Sequence, residues 1–273
     1  MEGLQALAEL AIALVRLTGT DRAWDVIVDR PGAEARWREH IVEQVSMAAL
    51  AQLPRKRPMQ AFPYLLPYLV LRRTGFRDPY YEQTLDRLMS VGFPDMSESV
   101  PYRRLDVAYF LGKSGRKGGG DLKSHYRRTG LAHQRSVVLA DDDSAYALTH
   151  TILYLSDFGA QPIALPEPEL RRIQPIIETL VVHYWRERHW DLVGELLLCS
   201  EIVGRPPRSL AGYAYKAFQD AHWEDGTIPG HADAGATLLL ARDAGETARV
   251  FSGVYHTTIV SLILATKVIE SER

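Results

Sequence analysis

Cysteine is almost missing from this 273-residue chain: there is one, Cys199. A single thiol excludes an intrachain disulfide and any cysteine metal cage. With so little cysteine a reducing, cytoplasmic setting is the default expectation. Excess charge is missing too. Thirty-two basic against 34 acidic residues leave a net charge of −2 and a pI near 6.5, so no nucleic-acid partner and no anionic membrane surface are expected. No run of about 18 uninterrupted apolar residues occurs, so no membrane span is expected. The N-terminus lacks a basic n-region, and Glu2 and Glu9 interrupt its apolar run, which reads as an amphipathic helix rather than a signal peptide. Convincing strand patterning is absent throughout.

What is present is helical, and hydrophobic residues make up 46% of the chain, ample for a core. Spacing and breakers predict helices over 3–17, 40–53, 62–73, 80–91, 166–185, 209–222 and 255–270. Pro54 should stop the second, and Pro67 and Pro175 should kink or divide theirs. Between 223 and 252 the pattern is weak.

Three further segments are apolar nearly all round, as buried helices are. They share a layout: Asp106, His150 and Glu195 each stand nine residues before a glycine, Gly115, Gly159 and Gly204. The steps are 44 residues (106 to 150) and 45 residues (150 to 195). Leu66 stands nine before Gly75 and would add an apolar member. Tyr255-His256-Thr-Thr echoes Thr149-His150-Thr, although its step from Glu195 is 61 residues. About five inner segments can be counted.

Helical pairs repeating every 45 residues or so build a solenoid or close into a toroid. Alternation of all-apolar with amphipathic helices favours an all-α, α/α toroid, with the apolar helices inside. One domain over 1–273 is expected, with N-terminal helices in 1–60 and hairpin repeats in 61–273. In that geometry Asp106, His150, Glu195 and His256 occupy the first turns of inner helices at one end of a cavity. Asp141-Asp-Asp143 and Trp223-Glu-Asp225 would lie on the same rim.

Gly112-Lys-Ser has the tail of a phosphate-binding P-loop, but Val107 stands where the first glycine is required, and no strand precedes it. The basic, glycine-rich stretch 112–135, with Lys123, Arg127, Arg128 and Arg135, reads as a mobile solvated loop or a lid over a phosphorylated ligand.

Ala221-His-Trp-Glu-Asp-Gly-Thr-Ile-Pro229 resembles the tryptophan and Asp-Gly turns of the terpenoid-cyclase and protein-prenyltransferase toroids. Val100-Pro-Tyr-Arg-Arg-Leu-Asp106, Tyr146-Ala-Leu-Thr-His150 and Tyr255-His-Thr-Thr258 are similar to segments of an uncharacterised actinobacterial helical family, often encoded beside natural-product genes. The first resemblance implies a fold, the second a setting in specialised metabolism and no activity. The diphosphate motifs depart: Asp141-Asp-Asp143 lacks the leading Asp of Asp-x-Asp-Asp, no Asp-Asp-x-x-Asp occurs, and no Asp-x-Cys precedes Cys199.

Two carboxylates and two imidazoles in one cavity could hold a divalent metal or exchange protons. They could equally satisfy one another as buried bonds between helices. The expected catalytic set is His150 and Glu195 as proton carriers, Asp106 orienting His150, and His256 opposite; the same four are the candidate metal ligands. Tyr102, Tyr146, Tyr255, Trp223, Asp225 and Cys199 are candidate cavity or substrate contacts, although a lone buried thiol is usually core. Asp157, seven residues after His150, reads as a cap or salt-bridge partner. The expected function is acid/base-assisted cyclisation, isomerisation or rearrangement of a small, largely apolar substrate. The alternative is a non-catalytic α/α scaffold that binds a peptide or carrier protein, docking through the basic stretch.

Overall fold

In the computed structural model, residues 2–28, 30–96, 98–134, 136–204, 210–231 and 244–271 are described. The chain divides into two compact units, 1–132 and 133–273. Among the described residues every regular element is helical, and the only extended pairing is an isolated antiparallel bridge between His189 and His231. The all-α expectation holds.

The first unit contains α1 (Glu2–Thr18), α2 (Asp21–Ile27), α3 (Ala33–Ser46), the short α4 (Ala48–Ala51) and α5 (Leu53–Lys56), a 3-10 turn (Pro58–Gln60), α6 (Ala61–Arg73), α7 (Pro79–Ser90), α8 (Pro101–Lys113) and α9 (Leu122–Tyr126). A four-residue α10 (Gly130–His133) lies at the division. Helix α6 packs on α1 and α8, burying Tyr64, Leu65, Tyr68 and Leu69. Helix α7 starts where Asp78 accepts bonds from the Tyr80 and Tyr81 amides, with Pro79 preset for the first turn.

The basic stretch is more ordered than a solvated loop. It contains α9, capped by Asp121, and it commits Arg116, which pairs with Asp86 at 2.9 Å and Glu82 at 3.4 Å. Glu82 also accepts from Arg72 and Tyr68, tying α6, α7 and the end of α8 together. Arg135 lies outside the described residues.

The second unit contains α11 (Asp142–Leu155), α12 (Glu167–Arg186), α13 (Trp190–Ile202), α14 (Leu210–Asp220) and α15 (Ala244–Ser271). Its centre is α13, buried on every side between α11, α12, α14 and α15. Gly194 permits the closest approach: a Cβ there would stand 2.8 Å from the Phe218 ring and 3.0 Å from Val260.

Several sequence expectations need correction. Helix α3 begins at Ala33 rather than His40, and Pro54 sits in the first turn of α5 instead of ending a helix. Pro175 lies inside an uninterrupted α12. Helix α2 was not expected. The last helix opens eleven residues before Tyr255, at Ala244; residues 232–243 of the weakly patterned stretch, and Ser209 of the helix expected from there, lie outside the described residues.

Asp106, His150, Glu195 and His256 are mid-helix residues, not first-turn ones, because their helices start five or more residues earlier, α11 at an acidic turn. The Asp141-Asp-Asp143 run is such a start: Asp141 caps α11 by accepting from the Ser144 amide at 2.9 Å. Gly75, Gly115, Gly159 and Gly204 all take positive φ just after their helices, a conformation that only glycine adopts cheaply.

Against the expectation of no span, Thr247–Ser271 of α15, with a mean hydropathy of 1.3, is long and apolar enough to cross a bilayer by length and composition alone. Here its Val254, Thr257, Val260, Ile263 and Leu264 are buried and the helix packs on α13.

Candidate functional site

The site of the second unit is built on α13. Asp191 and Glu195 stand one turn apart on the same face of this buried helix. Glu195 is 1% exposed. Burial pushes its carboxyl up, but the attraction of His150 and the bonds from His256 and Thr149 outweigh that, holding it below its ordinary value. An ionised carboxylate therefore sits inside an apolar helix cluster because imidazoles face it.

His150, from α11, brings Nδ1 to 3.7 Å from Glu195 Oε2 and 2.8 Å from the Tyr146 carbonyl. A carbonyl only accepts, so Nδ1 carries a proton, and in the neutral ring the lone pair is on Nε2. Thr149 donates its hydroxyl to the same carboxylate. From α15, His256 Nε2 lies 3.3 Å from Glu195 Oε1 and 3.3 Å from Asp191 Oδ1. Tyr146 donates to Asp191 Oδ2 at 2.6 Å, and Thr257 donates to Asp191 Oδ1 at 3.3 Å. Burial, and then the Asp191 charge, raises the Tyr146 phenol far above its ordinary value, so it acts as a donor.

Depth separates the two kinds of group. The carboxylate side chains of Glu195 and Asp191 are 2% and 12% exposed, whereas His150 and His256 are 23% and 25% exposed. A molecule arriving from solvent meets imidazole edges first. Around them stand Tyr146 and Tyr154, edge-on to His150, and Tyr255, which stacks on Phe251 and lies edge-on to His256.

Asp191, Glu195 and His256 each offer a ligand atom, all within 4.8 Å of one another. A tetrahedral ion with ligands at about 2.0–2.2 Å sets them roughly 3.4 Å apart, close to both His256–carboxylate distances. These residues fit a divalent cation, with one imidazole nitrogen and two carboxylate oxygens as donors.

The remaining expected residues are described by their own contacts. Asp106 belongs to the first unit, where it is buried and pairs with Arg103 at 3.4 Å; Tyr102 lies under the same guanidinium. Within the second unit, His150 Nδ1 is held by the Tyr146 carbonyl and faces Glu195. Cys199 is fully buried one turn beyond Glu195, its thiol pushed well up by burial and then by Glu195; it points to the Thr149 carbonyl as a core residue. Trp223 and Asp225 form a turn: the Trp223 amide donates to Thr227 O, and exposed Asp225 accepts from the Thr227 amide and hydroxyl. The stretch ends at Gly230, whose carbonyl takes the Asp191 amide. Buried Asp157 has φ 55° in the turn closing α11.

Sequence reasoning passed over Asp191 and His189. The signal for Asp191 was its place four residues before Glu195 on an otherwise apolar helix. His189 caps α13, its Nδ1 accepting from the Leu192 amide, and its ring lies 3.8 Å from that of His231. Burial, then the His231 charge, lowers its pKa to about 4.

Comparison adds a family. A domain of unknown function, DUF6895, matches residues 1–266. The chain belongs to that family. No curated protein and no solved structure matches it significantly.

Proposed function

We propose that the second unit is catalytic and carries an acid/base centre completed by a divalent cation. Asp191, Glu195 and His256 hold the cation; His150 moves the proton. The observation that carries this reading is Glu195, a fully buried carboxylate kept ionised by two imidazoles whose edges reach solvent. Imidazole is the side chain that gains and loses a proton near neutral pH, so this charge balance can change during a reaction.

His150 presents Nε2 as the base, its Nδ1–H held by the Tyr146 carbonyl and facing Glu195. The imidazolium formed on taking a proton is stabilised by that carboxylate, which favours returning the proton to another atom of the same substrate. Proton removal and return describe an isomerisation, cyclisation or related rearrangement. When bound, the cation would polarise a substrate oxygen. Tyrosine and phenylalanine rings beside the imidazoles suit a largely apolar substrate. The resemblance of residues 95–270 to a family encoded beside natural-product genes supports a place in specialised metabolism. For the whole chain we infer hairpin repeats in an α/α toroid; the four helices ending on left-handed glycines support it. The scaffold alternative is weakened by Arg116, which is committed to Glu82 and Asp86 rather than offered to a partner.

The test is untargeted mass spectrometry of small-molecule extracts from the protein's own host, incubated with wild type or His150→Ala. The expected result is a mass-neutral conversion by wild type, lost in a variant of unchanged helical content and thermal midpoint. Identical product profiles for the two proteins would overturn the reading.

A further inference from the structure

The glycine-rich stretch that follows α8 is the wall of a cavity within the first unit. Gly119 lies directly on α8: a Cβ there would stand 2.4 Å from the Ala108 carbonyl oxygen, so only glycine fits. His125 of α9 pins the strip through Nε2, 3.0 Å from the Gly119 carbonyl, and Asp121 fixes the start of α9. Strip, cap and histidine form one ordered piece.

The cavity has a volume of about 710 Å³, inside the roughly 300–1,000 Å³ of small-molecule sites. Its walls are largely apolar: Phe62 and Tyr64 from α6, Phe93 from the turn before α8, and Val107 from α8. Charge is confined to Arg103, Arg104 and Asp95. Behind the walls, Arg57 donates to the Tyr64 hydroxyl and Asp106 pairs with Arg103. The lining itself carries two guanidiniums and one carboxylate, and half-buried Arg104 sits where a ligand's charge would be least screened.

We propose that this cavity binds a small aromatic organic anion, its ring system among Phe62, Tyr64 and Phe93 and its acidic group on Arg104. The site is separate from the acid/base centre and does not depend on it. A flat aromatic body fits rigid, ring-lined walls at low entropic cost, and the guanidinium supplies a charge-assisted bond that a neutral ligand cannot form.

The test compares two fluorescent probes with one aromatic body: 8-anilino-1-naphthalenesulfonate, an anion, and N-phenyl-1-naphthylamine, which is neutral. Wild type should bind one equivalent of the anion with blue-shifted emission, about tenfold tighter than the neutral probe. Arg104→Gln should weaken the anion about tenfold and leave the neutral probe unchanged. Val107→Trp should fill the cavity and remove both. No saturable anion binding, equal affinity for the two probes, or an Arg104→Gln protein that binds the anion like wild type would overturn the proposal. Because Arg104→Gln alters no packed core residue, it decides the matter even if Val107→Trp fails to fold.

Discussion

Glu82 in the first unit and Glu195 in the second are both held below the usual carboxylate range, and in both burial opposes the shift. What overcomes burial differs. Glu82 is bonded by the guanidiniums of Arg72 and Arg116, charged at every accessible pH, and by the Tyr68 hydroxyl. Glu195 is faced by two imidazoles and a threonine hydroxyl. A permanent cation makes a strut. A titratable one makes a centre whose charge can move, and Glu195 is also the more deeply buried, at 2% against 25% side-chain exposure.

The largest expected effect comes from breaking each centre. Glu195→Ala leaves His150, His256 and Thr149 without their shared partner and should cost about 3–5 kcal/mol of unfolding free energy. Arg72→Met should cost about 2–3 kcal/mol, unchanged between pH 6 and 9, because guanidinium does not titrate there. Denaturant unfolding checks both, the Arg72→Met cost being read at pH 6 and 9; a Glu195→Ala cost no larger than that of Arg72→Met would erase the distinction. Both carboxyls are depressed, so each contributes stability that is present above the unfolded pKa of about 4.3 and lost as pH falls through the folded value.

Next in size is Gly194→Val. Its side chain must displace the Phe218 ring and Val260, costing about 1–3 kcal/mol and loosening α13, read as a lowered thermal midpoint. His189 should produce a smaller, pH-confined effect. Its pKa falls from 6.5 to about 4 on folding, so the unfolded chain binds the proton first and stability declines as pH drops through that window. His189→Gln should flatten the decline in thermal midpoint between pH 6.5 and about 4; an unchanged slope would remove His189 from the account. Least of all, Cys199→Ala should cost about 1 kcal/mol, and the native thiol should resist alkylation because it is fully buried and protonated.

The recurrence of a residue nine places before a glycine was legible because left-handed helix ends select glycine, and it led to His150 and Glu195, which the structure sets 3.7 Å apart. His256 was legible only as an echo of Thr149-His150-Thr. Asp191 was hidden by the same recurrence: it occupies no repeat position and joins the site only because a turn of helix returns it to the face of Glu195. Asp106 shared the period but finds its partner in Arg103, three residues away, a local pairing that spacing between repeats cannot reveal. The start of α15 was lost because Gly245 and Gly253 flank a segment of weak helical patterning. The cavity wall was legible as glycine and base, but not as a wall, since the Gly119–Ala108 approach depends on the chain folding back.

The most direct test of the central claim is titration of metal-stripped protein with Co²⁺, following the visible bands of a low-coordinate nitrogen–oxygen site, for wild type beside His256→Ala. The account predicts one equivalent bound by wild type, with protons released, and no such bands in the variant. Wild type and variant taking up Co²⁺ alike, or neither taking it up, would contradict a cation site at Asp191, Glu195 and His256.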